Sequence, residues 1–169
     1  KVEIGGGIRT LDTLERLASI GAARMVLGTA LVNDPDLARA AVKLVGGDRL
    51  TAGIDAKDGE VAVSGWIEGS GVAATDLAAA MAQAGFVHLV YTDIARDGMQ
   101  TGLDPQAYAR MAEAFGRPVI ASGGVASVAD IKALASVASS IEGVITGRAI
   151  YEGTLTVADG VAACKEASC

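Results

Sequence analysis

The feature that most constrains this chain is an internal repeat built around paired glycines. Val2-Glu3-Ile4-Gly5-Gly6-Gly7-Ile8 aligns with Ile120-Ala121-Ser122-Gly123-Gly124-Val125 when the glycines are matched at an offset of 117. Leu14 then falls on Ile131 and Leu17 on Leu134. A second stretch, Leu27-Gly28-Thr29-Ala30-Leu31, matches Thr146-Gly147-Arg148-Ala149-Ile150 at an offset of 119. Two elements recurring in order imply a repeat of about 118 residues. Two full copies would occupy roughly 236 residues, the size of an eight-stranded (β/α)8 barrel. The expected fold is therefore α/β, a TIM barrel made of two half-barrel repeats. One domain spans 1–169, with 1–49 as the second half of repeat one and 50–169 as a complete repeat two. By this arithmetic the first two strand–helix units, about 70 residues, are lacking ahead of Lys1.

The local patterns agree with that class. Val2–Ile4, Arg24–Leu27, Leu50–Ile54, Val87–Thr92, Val119–Ala121 and Gly143–Ile145 are short, apolar and bounded by Gly, Asp or Pro. Buried parallel strands have this character. Between them, apolar residues recur at helical spacing: Leu11, Leu14, Leu17 and Ala18; Leu37, Ala40, Ala41 and Leu44; Leu77, Ala78 and Met81; Ile131, Leu134 and Ala135. Asn33 or Asp34 before Pro35, and Asp104 before Pro105, place an N-cap ahead of a first-turn proline. Alternating strands and helices imply a parallel sheet with right-handed crossovers.

Composition excludes several alternatives. With 51% hydrophobic and 20% charged residues the chain is too apolar for disorder. No apolar run reaches the ~18 residues of a membrane span. A formal charge of -6 argues against a general nucleic-acid binder. Cys164 and Cys169 match no zinc or redox spacing and are expected on the surface or in the packing of the last helix. A reduced, cytoplasmic setting is the simplest expectation.

In such barrels the working groups lie at the C-terminal ends of strands. Two expected strands end in Gly5-Gly6-Gly7 and Gly28-Thr29, and two more in Ser122-Gly123-Gly124 and Thr146-Gly147-Arg148. Gly-rich turns leading into helices expose backbone N–H groups to an anion. Their symmetric placement suggests two phosphate cradles on opposite sides of one mouth, with Arg9 and Arg148 adding positive charge. The other two strands carry acids. Asp55 directly ends its strand and is the candidate general acid; an N-cap or turn role is the alternative for a loop Asp. Lys57-Asp58-Gly59-Glu60 is expected to form a hairpin turn. That hairpin carries Ser64-Gly65-Trp66 over the mouth, where the indole either stacks on a heterocycle or caps an apolar rim. If Thr92 faces inward, alternation turns Asp93 away and leaves Asp97 on the following loop. His88 shares the parity of Thr92 and is expected to be a packed core residue.

Six motifs in order carry a resemblance: Val-Glu-Ile-Gly-Gly-Gly-Ile-Arg, Leu-Gly-Thr-Ala, Val-Ala-Val-Ser-Gly-Trp, Tyr-Thr-Asp-Ile-Ala-Arg-Asp-Gly, Ala-Ser-Gly-Gly-Val and Thr-Gly-Arg-Ala-Ile. Together they resemble the phosphoribosylformimino-5-aminoimidazole carboxamide ribotide isomerases of histidine biosynthesis, over the whole chain. The resemblance implies an Amadori rearrangement of an aminoaldose to an aminoketose, with neither metal nor organic cofactor. It implies that Asp55 is the acid and that Thr92 and Asp97 support it. It also implies a bis-phosphate substrate held around Gly7, Arg9, Gly28 and Thr29 at one end and Ser122, Gly123, Gly124, Gly147 and Arg148 at the other, with Trp66 beside it. The family's base is an Asp at the end of strand one, which has no counterpart here, so the 169 residues alone are expected to be nearly inactive. Other readings are a bifunctional isomerase acting also on phosphoribosylanthranilate, the cyclase subunit of imidazole glycerol phosphate synthase, and a non-catalytic half-barrel module. The Ser64-Gly65-Trp66 motif favours the isomerase over the cyclase. The expected partner is a small molecule rather than nucleic acid or membrane; the parent protein is expected to be a monomer, and the open sheet edges of the fragment are expected to favour pairing.

Overall fold

Six strands pair side by side in parallel, and five of them lead directly into helix. The computed structural model describes residues 1–63, 65–66, 68–99 and 101–167. The parallel strands are β1 (Glu3–Gly5), β2 (Arg24–Leu27), β3 (Leu50–Lys57), β6 (His88–Asp93), β7 (Val119–Ser122) and β8 (Ile141–Val144), adjacent in that order. Strands β4 (Glu60–Val63) and β5 (Glu68–Ala73) extend β3 as an antiparallel meander. The helices are α1 (Leu11–Ser19), α2 (Thr29–Asn33), α3 (Pro35–Val45), α4 (Ala74–Ala84), α5 (Pro105–Phe115), α6 (Val128–Ala133), α7 (Arg148–Tyr151) and α8 (Val157–Ala167).

The sheet is rolled, and one ion pair proves it. Arg24 on β2 and Glu142 on β8 are separated by three intervening strands. In a flat sheet those strands would lie about 19 Å apart, at roughly 4.8 Å per strand. Their side chains nevertheless meet, Arg24 Nη1 donating to Glu142 Oε1 at 2.9 Å. The sheet therefore curls until β2 and β8 face each other across its concave side.

Strand alternation then sorts the residues. On β3, Leu50, Ala52, Ile54 and Ala56 are fully buried against the helices, while Gly53 and Asp55 line the concave cavity. On β6, Leu89 and Tyr91 face the helices, and Val90 and Thr92 face the cavity. The main core joins Leu14, Met25, Leu27, Phe86, Tyr108 and Phe115 to these strand residues. A smaller cluster of Val125, Ile131, Ala149, Leu155 and Ala163 lies beneath α6 and α8, with Cys164 packed against it. Cys169 lies outside the described residues. Burying such side chains contributes roughly 1.5–3 kcal/mol each.

Helix starts follow the capping residues. Asp34 accepts from the backbone N–H of Asp36 and Leu37, and Asp104 from that of Gln106, each ahead of a proline. The spacing of Ile131, Leu134 and Ala135 reads as continuous helix, but α6 ends at Ala133 and tightens into a 3-10 turn over Leu134–Ser140. Ser136 donates its hydroxyl back to the carbonyl of Ala133, a local bond that competes with the α-helical ladder. The last strand runs over Ile141–Val144, displaced toward the N-terminus from the expected Gly143–Ile145. Periodicity also did not reveal β5, α2 or α7, which are too short or too polar to carry a clear period.

His88 departs from the expected apolar packing. It sits on the concave face with its side chain 20% exposed, and its Nδ1 lies 2.8 Å from Glu142 Oε1. Arg24 joins Glu142 to Glu3 (Nε–Oε2 2.8 Å), and Thr51 donates to Glu3 at 2.9 Å. The lower layer of the concave face is thus an ionic network rather than an apolar one, and it spans the rolled sheet.

Candidate active site

Asp55, Thr92 and Ser122 stand abreast on three neighbouring strands. Asp55 pairs in register with Thr92, and Thr92 with Ser122. Adjacent parallel strands place such partners about 4.8 Å apart. All three line a concave cavity of about 470 Å³ at the C-terminal ends of the strands. Thr92 and Ser122 are buried, each 8% exposed. The turn at Asp58-Gly59 reverses the chain with positive φ at both residues (53° and 84°), as a tight hairpin requires. It launches β4, and the β4–β5 connection brings Trp66 back over the cavity. Trp66 Nε1 donates to Asp55 Oδ2 at 2.8 Å. The ring is 47% exposed at the rim, and its backbone holds φ at 72°, a costly value for a large residue. Ser64 of the same motif lies outside the described residues.

The expected cradle residues divide between two compartments. Gly7, Arg9, Gly28 and Thr29 line the larger cavity on the side of β1 and β2. Gly123, Gly124, Gly147 and Arg148 line a second cavity of about 170 Å³. Ser122 and Ile145 border both, so the two compartments adjoin. All four paired glycines have positive φ: 101° and 68° at Gly6 and Gly7, 91° and 87° at Gly123 and Gly124. Gly28 and Gly147, each preceding a short helix, have φ/ψ of -116°/-109° and -112°/-96°. A side chain at Gly123 is excluded twice, since its Cβ would also fall 2.5 Å from the carbonyl oxygen of Asp93.

Two expected site residues have other neighbours. Asp97 lines the smaller compartment rather than the cavity containing Asp55 and Thr92. Its backbone N–H is held by the carbonyl of Asp93 at 3.0 Å, which fixes the loop on the far side of Ser122. Arg148 is already engaged, pairing with Glu152 and donating to the carbonyl of Gly98. An anion in that compartment would compete with these contacts. Asp93 turns away as alternation requires. Its carboxylate accepts from the N–H of Ala95 and pairs with Arg96 at 3.3 Å.

One supporting residue was not legible in the sequence. Tyr108 of α5, fully buried, donates its hydroxyl to the carbonyl of Ser122 at 2.9 Å and approaches that of Gly123 at 3.4 Å. It holds the Ser122-Gly123 turn from behind. Burial, reinforced by the charge of Asp93, raises its phenol above the usual tyrosine range. A Tyr at helical spacing reads only as core; the partner carbonyls come from a strand end that the fold alone brings near. Among the described residues no group of three His, Cys, Asp or Glu side chains converges as a metal site. None of the helices is long and apolar enough to cross a membrane, again among the described residues.

Comparison with known proteins adds a family to this geometry. The profile described as "Histidine biosynthesis protein" matches residues 1–156. The chain belongs to that family. Within the histidine biosynthesis proteins it is 50% identical over 162 residues to a curated relative from Xanthobacter autotrophicus, covering 95% of this chain and 66% of the relative. It is 48% identical over 162 residues to one from Desulfosudis oleivorans, covering 95% of this chain and 64% of that protein. A relative from Marinobacter nauticus is 49% identical over 164 residues, covering 96% of this chain and 66% of its own length. Each is named 1-(5-phosphoribosyl)-5-((5-phosphoribosylamino)methylideneamino)imidazole-4-carboxamide isomerase. The chain thus spans just under two thirds of the length of the family members it matches.

Proposed function

We propose that the protein to which this chain belongs is an aldose–ketose isomerase acting on the bis-phosphorylated imidazole-4-carboxamide ribonucleotide for which its relatives are named. The observation that carries this reading is the row Asp55–Thr92–Ser122 in a cavity flanked by two glycine turns of positive φ. The fold that suits it is an eight-stranded barrel of two half-barrel repeats, in which two further strand–helix units close the gap between β8 and β1. One phosphate of the substrate lies at Gly7, Arg9, Gly28 and Thr29, the other at Gly123, Gly124, Gly147 and Arg148. Backbone N–H groups of such turns stabilise phosphate oxygens without needing a net positive chain.

In the reaction Asp55 gives its proton to the ribose ring oxygen as the C1–O bond breaks. The nitrogen lone pair forms the C1=N bond of a protonated Schiff base. Removal of the C2 proton by a base then gives the enolamine, which tautomerises to the aminoketose. Thr92 orients the substrate beside Asp55, and Asp97 fixes the edge of the smaller cradle. Trp66, which donates to Asp55, hands that hydrogen bond over to the substrate when the carboxyl is needed as an acid. The base belongs to the part of the barrel between β8 and β1, so the 169 residues alone are expected to be nearly inactive. No metal or organic cofactor takes part, and a reduced cytoplasmic setting fits this reading.

The test joins this chain to the two preceding strand–helix units of a relative and follows conversion of the aminoaldose to the aminoketose. Asp55→Asn should lower kcat by about 10²–10⁴-fold, the usual contribution of general acid–base catalysis. Activity unaffected by Asp55→Asn would refute the acid assignment. No turnover in the joined protein, despite a native fold, would favour a non-catalytic module. Turnover of phosphoribosylanthranilate in the same assay would extend the substrate range to a second aminoaldose.

A further inference from the structure

Each of the two proposed phosphate cradles takes one of its turns from a strand that bears a partner of the Arg24–Glu142 pair. Gly28-Thr29 follows β2, which bears Arg24, and Gly147-Arg148 follows β8, which bears Glu142. The paired residues are 118 positions apart, the length of the internal repeat, so they stand at nearly the same height on corresponding strands. Gly28 comes four positions after Arg24, and Gly147 five after Glu142. At roughly 3.3 Å per residue both turns lie about 13–17 Å above the pair, at the mouth.

The distance between these two strands is held from the concave side. β1 and β8 end the parallel row, and among the described residues no ladder joins them. Helices support the roll from outside; inside, side chains must do so. Between the pair and the mouth the concave face carries Val26, Gly53 and Val90, which line the cavity of about 470 Å³ and are too short to meet across it. The ionic layer below them does bridge the sheet. Glu142 takes Arg24 at 2.9 Å and His88 at 2.8 Å, Arg24 Nε lies 2.8 Å from Glu3, and Glu3 accepts from Thr51 at 2.9 Å. Five of the six parallel strands thus contribute a side chain to one connected layer. Such a network holds its members more firmly than an isolated surface pair. Glu3 reaches the floor of the cavity, but neither Arg24 nor Glu142 lines it. The pair therefore acts on a ligand only through the position of its strands.

We propose that Arg24 and Glu142 are positioning residues whose contact sets the span between the two cradles, and with it the separation of the two phosphates that a ligand must have. The selectivity this confers is for bis-phosphates that reach across the mouth over shorter ones and over monophosphates. Two joined anions gain affinity only when their linker can span both sites, so a fixed span acts as a ruler. The inference rests on the phosphate role proposed for both cradles.

The test needs no turnover and uses this chain. Its probes are inorganic phosphate and a series of straight-chain α,ω-diol bisphosphates of increasing length, titrated by calorimetry. Above one threshold length the unaltered chain should bind a bisphosphate at least about tenfold tighter than inorganic phosphate, a modest share of the gain that bivalent attachment can give. In Arg24→Met and in Glu142→Gln that gain should fall to about threefold or less at every length, with inorganic phosphate still bound within about twofold of the unaltered chain. Arg24→Lys, which keeps the cation, should retain most of the gain. Circular dichroism identifies the variants that fold, and either loss variant suffices. An undiminished gain at the same threshold in a folded loss variant would overturn the proposal. A parallel loss of inorganic phosphate binding would overturn it too, because that marks a general loosening of the cradles. No gain at any length in the unaltered chain would instead remove the two-cradle reading, and this inference with it.

Discussion

Replacing Gly123 by alanine tests whether the second glycine cradle is built on close backbone approach or on conformation alone. The internal repeat supplies the control, since Gly6 occupies the matching position. Both residues hold positive φ, 91° at Gly123 and 101° at Gly6. An L-residue forced into that region costs about 1–2 kcal/mol. At Gly6 an added Cβ meets nothing within 4 Å, so Gly6→Ala should cost only that amount. At Gly123 the same Cβ falls 2.5 Å from the carbonyl oxygen of Asp93 and 3.2 Å from its backbone carbon and nitrogen. These are backbone atoms of β6, held in register with β3 and unable to rotate aside. Forcing an atom into such a contact adds about 1–3 kcal/mol. Urea unfolding of the two variants and the parent chain reads the difference. With a slope of about 1–3 kcal/mol per molar, the midpoint for Gly123→Ala should lie below that for Gly6→Ala by about 0.3 M or more. Equal midpoints would show that the Asp93 contact relaxes freely and would refute the rigidity assigned to this strand end.

Other consequences are open to direct measurement. Tyr108→Phe leaves the Ser122 carbonyl without its buried donor and should cost about 1–2 kcal/mol in the same unfolding assay. In the joined barrel it should raise KM more than it lowers kcat, because the residue holds the proposed phosphate cradle and not the proposed acid. Burial raises the phenols of both Tyr91 and Tyr108 above the usual 10.0. The unfolded chain therefore ionises them first, so stability is kept below about pH 10 and lost as pH rises past it, by up to ~1.4 kcal/mol per pH unit for each phenol. Tyr108→Phe should make that alkaline loss shallower. A double-mutant cycle on Arg24→Met and Glu142→Gln should give a coupling of about 0.5–1 kcal/mol, reduced by salt because both side chains are about a third exposed. Zero coupling at low salt would mean that the two strands do not face each other across the concave side.

Much of the fold is legible in the chain because its signals are local or periodic. Gly, Asp and Pro bound the strands, aspartates before prolines start α3 and α5, and strand parity set Thr92 and Asp93 on opposite sides, while the structure showed which of the two faces the cavity. The repeat paired Gly6-Gly7 with Gly123-Gly124, and the structure gives all four residues a positive φ. His88 shows the limit of parity. Alternation gives its side of the sheet, but whether that side holds leucines or an ionic network depends on residues as distant as Glu3 and Glu142. Asp97 shows another limit: its number in the loop is plain, but the compartment it borders follows from the hydrogen bond to the Asp93 carbonyl.

By itself the sequence determined the alternation of strand and helix, the glycine turns and a carboxylate near the end of β3, although the strand runs on past Asp55 to Lys57. These depend on neighbours a few residues away or on a pattern that repeats along the chain. Tertiary structure alone decided which side chains meet: Trp66 on Asp55, Tyr108 behind Ser122, Arg24 against Glu142, and Tyr91 edge-on to Tyr108. Such contacts join residues on different strands and helices. Their partners are chosen by the roll of the sheet, a property of all its strands together that no single stretch of sequence carries.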